Sequence, residues 1–238
     1  MAYMLLFIDR KGAPAAPPGA SAELSALARD LERQGKLLRA GALAPAAQGV
    51  RVVVQGGEAR VSEGADADRH ETIGGFWILD AASREEAIEI ARRAFACGAP
   101  QPDARRGCID VHVLGTRYSV RPDPGGGTPY LLGFHNDAFL TDPGLAKMDA
   151  MIAFGAALER EGKLFETTPL AREGPPARVE SRDGKTLVTE GPFAEAKEVI
   201  GGFSLLRVAS RAEAIEIATR YPAARWGTVE VREMVERE

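Results

Sequence analysis

The chain has 238 residues, enough for one large domain or two of ordinary size. Hydrophobic residues make up 45%, charged residues 27%, and the net charge is -4 with both signs mixed along the chain; that is a solvated globular surface and excludes the basic stripe of a nucleic-acid-binding protein. Two cysteines, Cys97 and Cys108, exclude a disulfide framework and cannot close a structural zinc site unaided.

The first apolar run, Tyr3 to Ile8, is a strand and far too short for a bilayer span. No cleavage-type pattern follows Asp9 and Arg10, so the expectation is a cytoplasmic protein. A helix follows and ends at Gly35. A hairpin turns at Gly56-Gly57, and the next strand begins at Gly74-Gly75-Phe76. Those glycines lack the spacing and lysine of a phosphate loop; they predict a bulge or a close backbone approach. Ser83 and Glu86 form a capping box before a helix whose buried stripe is Ala87, Ile88, Ala91 and Phe95. Cys108 to Val113 is a last strand.

A Pro/Gly-rich stretch, Arg121 to Thr128, reads as a linker. The same elements then recur. Tyr130 to Phe134 is a strand; Asp142-Pro143 starts a helix with Met148, Met151, Ile152, Gly155 and Leu158 at helical spacing, and Gly162 ends it. Arg178 to Ser181 and Lys185 to Thr189 flank Asp183-Gly184, a strong hairpin signal. Gly201-Gly202-Phe203, the Ser210/Glu213 capping box and a strand from Thr228 to Val231 complete the set.

A shift of 127 positions superposes these elements without a gap from residue 31 to 91, and 14 of 19 residues between 73 and 91 are identical to their counterparts. The offset falls to 120 at Gly107 and Gly227, because the first copy carries seven extra residues near Gly98 to Ala104. The chain therefore reads as a duplication: residues 1–117, a linker at 118–128, and residues 129–238. The order β-α-β-β-α-β is the ferredoxin-like plan, an α+β fold with two helices on one sheet face. The other face needs a cover; burying roughly 500 Å² per half is worth about 12 kcal/mol gross. Two halves packed face to face within one chain would cover those faces for each other, which is the expected architecture.

Three histidines are candidates for proton transfer near neutrality: His70, His112 and His135. His135 ends a strand beside Asn136-Asp137, where the first half has Ile8 and Asp9. It reads either as a general base oriented by Asp137 or by a carboxylate across the interface of the halves, or as a solvated strand-end histidine. His112 matches Arg232 on a polar strand face and reads as a surface position; His70 lies in a charged, solvent-facing loop. In Glu190-Gly191-Pro192-Phe193, Gly-Pro makes a rigid turn and Phe193 can plug a core. Glu195, Lys197 and Glu198 are then surface ion pairs, or Lys197 meets an anionic substrate at a pocket rim. No metal-ligand spacing or nucleophile elbow is present.

The run from Asp183 to Glu198, with Gly201-Gly202-Phe203 and the closing Pro222 to Arg232, resembles the signature of DGPF-domain proteins within the YCII-related family. It departs at Glu190, where that family usually has Asp, and the first half carries Glu63-Gly64-Ala65-Asp66 instead. The resemblance implies a dimeric α+β barrel and no cofactor. It also implies a small-molecule ligand, with His135 and Asp137 as the acid/base pair and Lys197, Glu190 and Phe193 at the ligand. A cofactor-free lyase or isomerase is one implied role; a sensor or a partner of sigma-factor transcription control is the other. A homodimer of the duplicated chain is compatible with either.

Overall fold

The computed structural model describes residues 1–11, 20–64, 71–97, 107–115, 120–135, 145–170, 176–182, 185–191 and 200–235. In chain order the elements are β1 (Ala2–Arg10), α1 (Ala20–Arg33), β2 (Leu37–Leu43), β3 (Val50–Gln55), β4 (Glu58–Glu63), β5 (Glu71–Asp80), α2 (Arg84–Cys97) and β6 (Cys108–Gly115). The second half repeats them as β7 (Thr128–His135), α3 (Leu145–Arg160), β8 (Leu164–Pro169), β9 (Ala177–Arg182), β10 (Lys185–Glu190), β11 (Ile200–Val208), α4 (Arg211–Arg220) and β12 (Thr228–Val235). The architecture is mixed α+β with antiparallel strand pairing.

The local signals in the sequence explain the element ends. Gly35 and Gly162 take φ of 68° and 69°, the left-handed conformation that stops a helix. In each case the next residue donates back five positions, Lys36 to the Leu31 carbonyl and Lys163 to that of Leu158, which satisfies carbonyls left open at the helix end. Ser83 and Ser210 accept from the amides of Glu86 and Glu213 at 3.3 and 3.2 Å. The two glutamates return the bond one residue further back than the capping box predicts, to the amides of Ala82 and Ala209. The expected bulge at Gly-Gly is present in both copies: the register skips between Phe7 and Ile8 in one and between Ile200 and Gly202 in the other. A Cβ on Gly75 would lie 2.8 Å from the Gly41 carbonyl oxygen, so close strand approach requires glycine there. Ile152, expected on the buried face of its helix, is 64% exposed; Phe154 packs on the core instead.

The chain forms two compact units that do not follow the duplication simply. Unit 1 comprises Met1–Ala42, Asp68–Tyr118 and Ala171–Ala194; unit 2 comprises Leu43–Ala67, Ser119–Leu170 and Glu195–Glu238. The sheet of unit 1 runs β10-β9-β6-β1-β5-β2, and that of unit 2 runs β4-β3-β12-β7-β11-β8. Each half thus gives its hairpin to the other half's sheet: β9 pairs with β6, and β3 pairs with β12.

Each unit packs its two helices on one sheet face. In unit 1 the core there is Tyr3, Leu5, Trp77, Leu79, Ile109 and Val111 with Ala87, Ile90 and Ala91, and the visiting hairpin adds Ala177 and Val179. In unit 2 it is Tyr130, Leu132, Phe134, Val229 and Val231 with Ile217 and Tyr221, and the visiting hairpin adds Val50 and Val52. Strand alternation sends the residues between these to the opposite face.

The visiting hairpin of unit 1 is fixed by charge as well as by its valine. Arg178 lies directly across from Asp110 and donates to both its oxygens, from Nε at 2.7 Å and from Nη2 at 2.9 Å. It also donates to both oxygens of Glu71, at 3.0 and 2.9 Å. Arg10 joins Glu71 and Glu180, both at 3.0 Å. Removing Arg178 would leave Asp110 a buried carboxylate without this partner. Arg178→Met is expected to lower unfolding free energy by about 3–5 kcal/mol in urea denaturation. Arg60→Met on the exposed strand β4 should change it by no more than about 0.5 kcal/mol.

Candidate functional site

His135 is the last residue of β7 and is buried, with 5% of its surface exposed. Its Nε2 lies 2.8 Å from Oε2 of Glu230 on β12. The other carboxylate oxygen of Glu230 accepts from Nη1 of Arg232 at 2.9 Å. Arg232 is 2% exposed and donates onward, through Nε and Nη2, to the Ala44 carbonyl. Burial alone pushes the Glu230 carboxyl up, but the hydrogen bond and charge of His135, and then those of Arg232, outweigh it and hold the group down at about 2. A carboxylate ionised in this way can only accept, so Nε2 of His135 carries the shared proton.

The register explains how the two side chains meet. Glu230 sits across from Gly133, and His135 across from Thr228, so the pair is diagonal. The imidazole must lie back along β7 over position 133. A Cβ on Gly133 would be 3.3 Å from His135 Nε2, tighter than most side-chain contacts allow. Glycine at 133 is what gives the ring room. The first copy has Leu6 and Ile8 at the matching places, so the change that brought in the imidazole came with the change that made space for it.

Unit 1 keeps the carboxylate and answers it differently. Asp110 corresponds to Glu230, and its cation is Arg178 from the visiting hairpin. His112, which corresponds to Arg232, is 9% exposed and not the surface residue its polar strand face suggested. The polar face of the last strand is a buried face in both units, carrying Asp110 and His112 in one and Glu230 and Arg232 in the other. Burial pushes the His112 imidazole below its ordinary pKa, against Asp110 and in the same direction as Arg178, so it is held neutral.

Glu190 closes β10 in unit 1, is exposed, and pairs with Arg84 at 2.8 Å; His135 belongs to unit 2. Asp137, Phe193, Lys197 and His70 lie outside the described residues, as does the Asp183-Gly184 turn. The carboxylate on His135 is Glu230, 95 positions away, which sequence reasoning did not single out. The available signal was the pair Gly133/His135 replacing Leu6/Ile8. Among the described residues no three His, Cys, Asp or Glu side chains are grouped to hold a metal ion, and no helix is long and apolar enough to cross a membrane.

The depressed Glu230 carboxyl has a definite pH signature. Its ordinary value is 4.5 and its value in the fold about 2. Its stabilisation is therefore complete above the unfolded value and lost as pH falls through the folded one. Wild-type stability should fall by an amount on the order of 3 kcal/mol as pH is lowered across that window. Glu230→Gln should remove that limb of the curve, measured by urea denaturation at a series of pH values; an unchanged acid limb would show that the pair does not form in solution.

A search of curated proteins gives no match. Among solved structures, one crystal structure named a candidate chlorite dismutase aligns over 99% of this chain and 94% of its own, at 8% identity and a TM-score of 0.38. A likeness that faint carries nothing about function. The model of the YCII-related domain matches residues 1–100 and 130–238, that is, both copies and nearly the whole sequence. With both copies accounted for by one family model, the chain belongs to the YCII-related domain family.

Proposed function

We propose that this protein binds a small organic acid beside His135 in unit 2 and exchanges a proton with it without a cofactor, as a lyase or isomerase would. The observation that carries this reading is the buried His135–Glu230–Arg232 chain. Glu230 fixes the tautomer and stabilises the imidazolium that forms when Nδ1 takes a proton. Arg232 keeps Glu230 ionised, so the carboxylate orients the ring and does not become the proton store. A proton taken from a carbon next to a carbonyl and returned at another atom is the reaction class this arrangement suits. Asp137 remains part of the proposal as a second orienting group next in sequence to the strand end, and Lys197, Glu190 and Phe193 at the ligand on the resemblance of their segment to the family signature.

On the same reading each unit is a ferredoxin-like fold, since its own four strands run β6-β1-β5-β2 or β12-β7-β11-β8 with two helices on one face. The two together would make up the dimeric α+β barrel within one chain. The alternative is a sensor that binds without chemistry and passes the signal to a transcription partner.

The test is isotope-resolved NMR of the His135 imidazole during titration with a panel of small keto acids and hydroxy acids, with solvent deuterium exchange followed in each compound. The proposal expects a shifted imidazole and deuterium incorporation, with exchange reduced at least about 100-fold in both His135→Asn and Glu230→Gln. Imidazole shifts without exchange would favour the sensor. An imidazole insensitive to the whole panel would overturn both readings.

A further inference from the structure

Unit 2 carries a second feature on the sheet face that its helices cover. Phe134 belongs to the helix-packed core, so its neighbour His135 points to the opposite face. On the helix side an open groove of about 630 Å³ is bounded by the Gly56-Gly57 turn of the β3–β4 hairpin, Phe154 of α3, Arg220 at the end of α4, and Arg225 just beyond it. Two guanidinium groups line it and, among the described residues, no carboxylate does, although the chain as a whole is acidic.

Neither arginine is committed elsewhere by a strong bond. Arg220 faces Glu216 at 3.5 Å with the two side chains 61% and 67% exposed, an ion pair of little worth in water. Arg225 is exposed and makes no ion pair among the described residues. The Arg220 guanidinium lies 5.9 Å from the centre of the Phe154 ring, and that ring meets Tyr221 edge-on at 5.0 Å. Phe154 is thereby held by the core on one side while bordering the groove on the other.

The duplication supplies an internal comparison. In the first copy Arg93, the counterpart of Arg220, has Asp30 at 3.9 Å; the second copy has Ala157 at the place of Asp30. The first copy has Leu27 where the second has Phe154. Beside Arg220, then, a carboxylate is absent and an aromatic ring is present where the first copy has Asp30 and Leu27. Thr219 in place of Arg92 substitutes a hydroxyl for a third cation, which leaves the charge concentrated on Arg220 and Arg225.

We propose that this groove is a binding site for a small aromatic acid, distinct from the His135 site, with the carboxylate held by Arg220 and Arg225 and the ring laid against Phe154. The volume falls within the roughly 300–1,000 Å³ of small-molecule sites. Guanidinium forks match a carboxylate's two oxygens, and a flat ring beside Phe154 is favoured over a neutral aliphatic body.

The probe is 2-naphthoate, titrated into the full chain and followed by its fluorescence and by the amide signals of Gly56 and Gly57. Saturable binding that moves both amides is expected. Arg220→Met and Arg225→Met should each weaken it about tenfold, and neutral 2-naphthalenemethanol should bind at least about tenfold more weakly than the acid. His135→Asn should leave naphthoate binding unchanged, which separates this site from the one proposed above. Amides unmoved at millimolar naphthoate, binding unaltered in both arginine variants, or equal affinity for the alcohol would each overturn the proposal.

Discussion

The requirement that organises this molecule is a carboxylate buried in the last strand of each unit. Asp110 and Glu230 occupy matching positions in their sheets and are 7% and 3% exposed. A charge so placed is tolerated only with a cation within hydrogen-bonding distance. Unit 1 meets the need with an arginine brought in on a strand of the other half, and that arginine also gathers Glu71. Unit 2 meets it from its own strands, with Arg232 two positions along and His135 on the neighbouring strand. The difference in how one constraint is met separates a unit whose buried carboxylate is held by an arginine from the visiting hairpin from one whose carboxylate is bonded to an imidazole.

Much of the fold was legible because it depends on short-range chemistry. Helix stops at Gly35 and Gly162, serine caps at Ser83 and Ser210, the hairpins and the Gly-Gly bulge all follow from a few adjacent residues. Strand partners are another matter. Alternation in Arg178 to Ser181 says that a strand forms and which residues share a face, but nothing in it says which sheet the strand joins. The hairpin exchange was therefore not read, and neither were the strands β2 and β8 that follow the first helix of each half. His112 was misplaced for a related reason: a polar strand face looks solvated until its cations, here Arg178, are known.

The site was half legible. His135 stands out as a histidine replacing an isoleucine, but Glu230, the carboxylate bonded to it, is far off in sequence. Gly133 was the better clue. A leucine exchanged for glycine inside a buried strand costs apolar contact and chain entropy, and such an exchange asks what fills the space. The answer in this fold is the imidazole itself. Comparing copies inside one chain thus acts as a small alignment, in which departures from the common pattern mark where the units were specialised.

The traded hairpins also constrain how the polypeptide can be made. As the ribosome releases the first half, its sheet still lacks strands encoded by residues 177–190, and the Arg178–Glu71 bond spans 107 positions. Unit 1 must wait, incompletely paired along β6, until three quarters of the message has been translated. Its own hairpin, meanwhile, is synthesised long before the sheet it will join. Pairing across such separations in sequence gives the high contact order that slows folding. Neither gene half, expressed alone, encodes a sheet with all its strands.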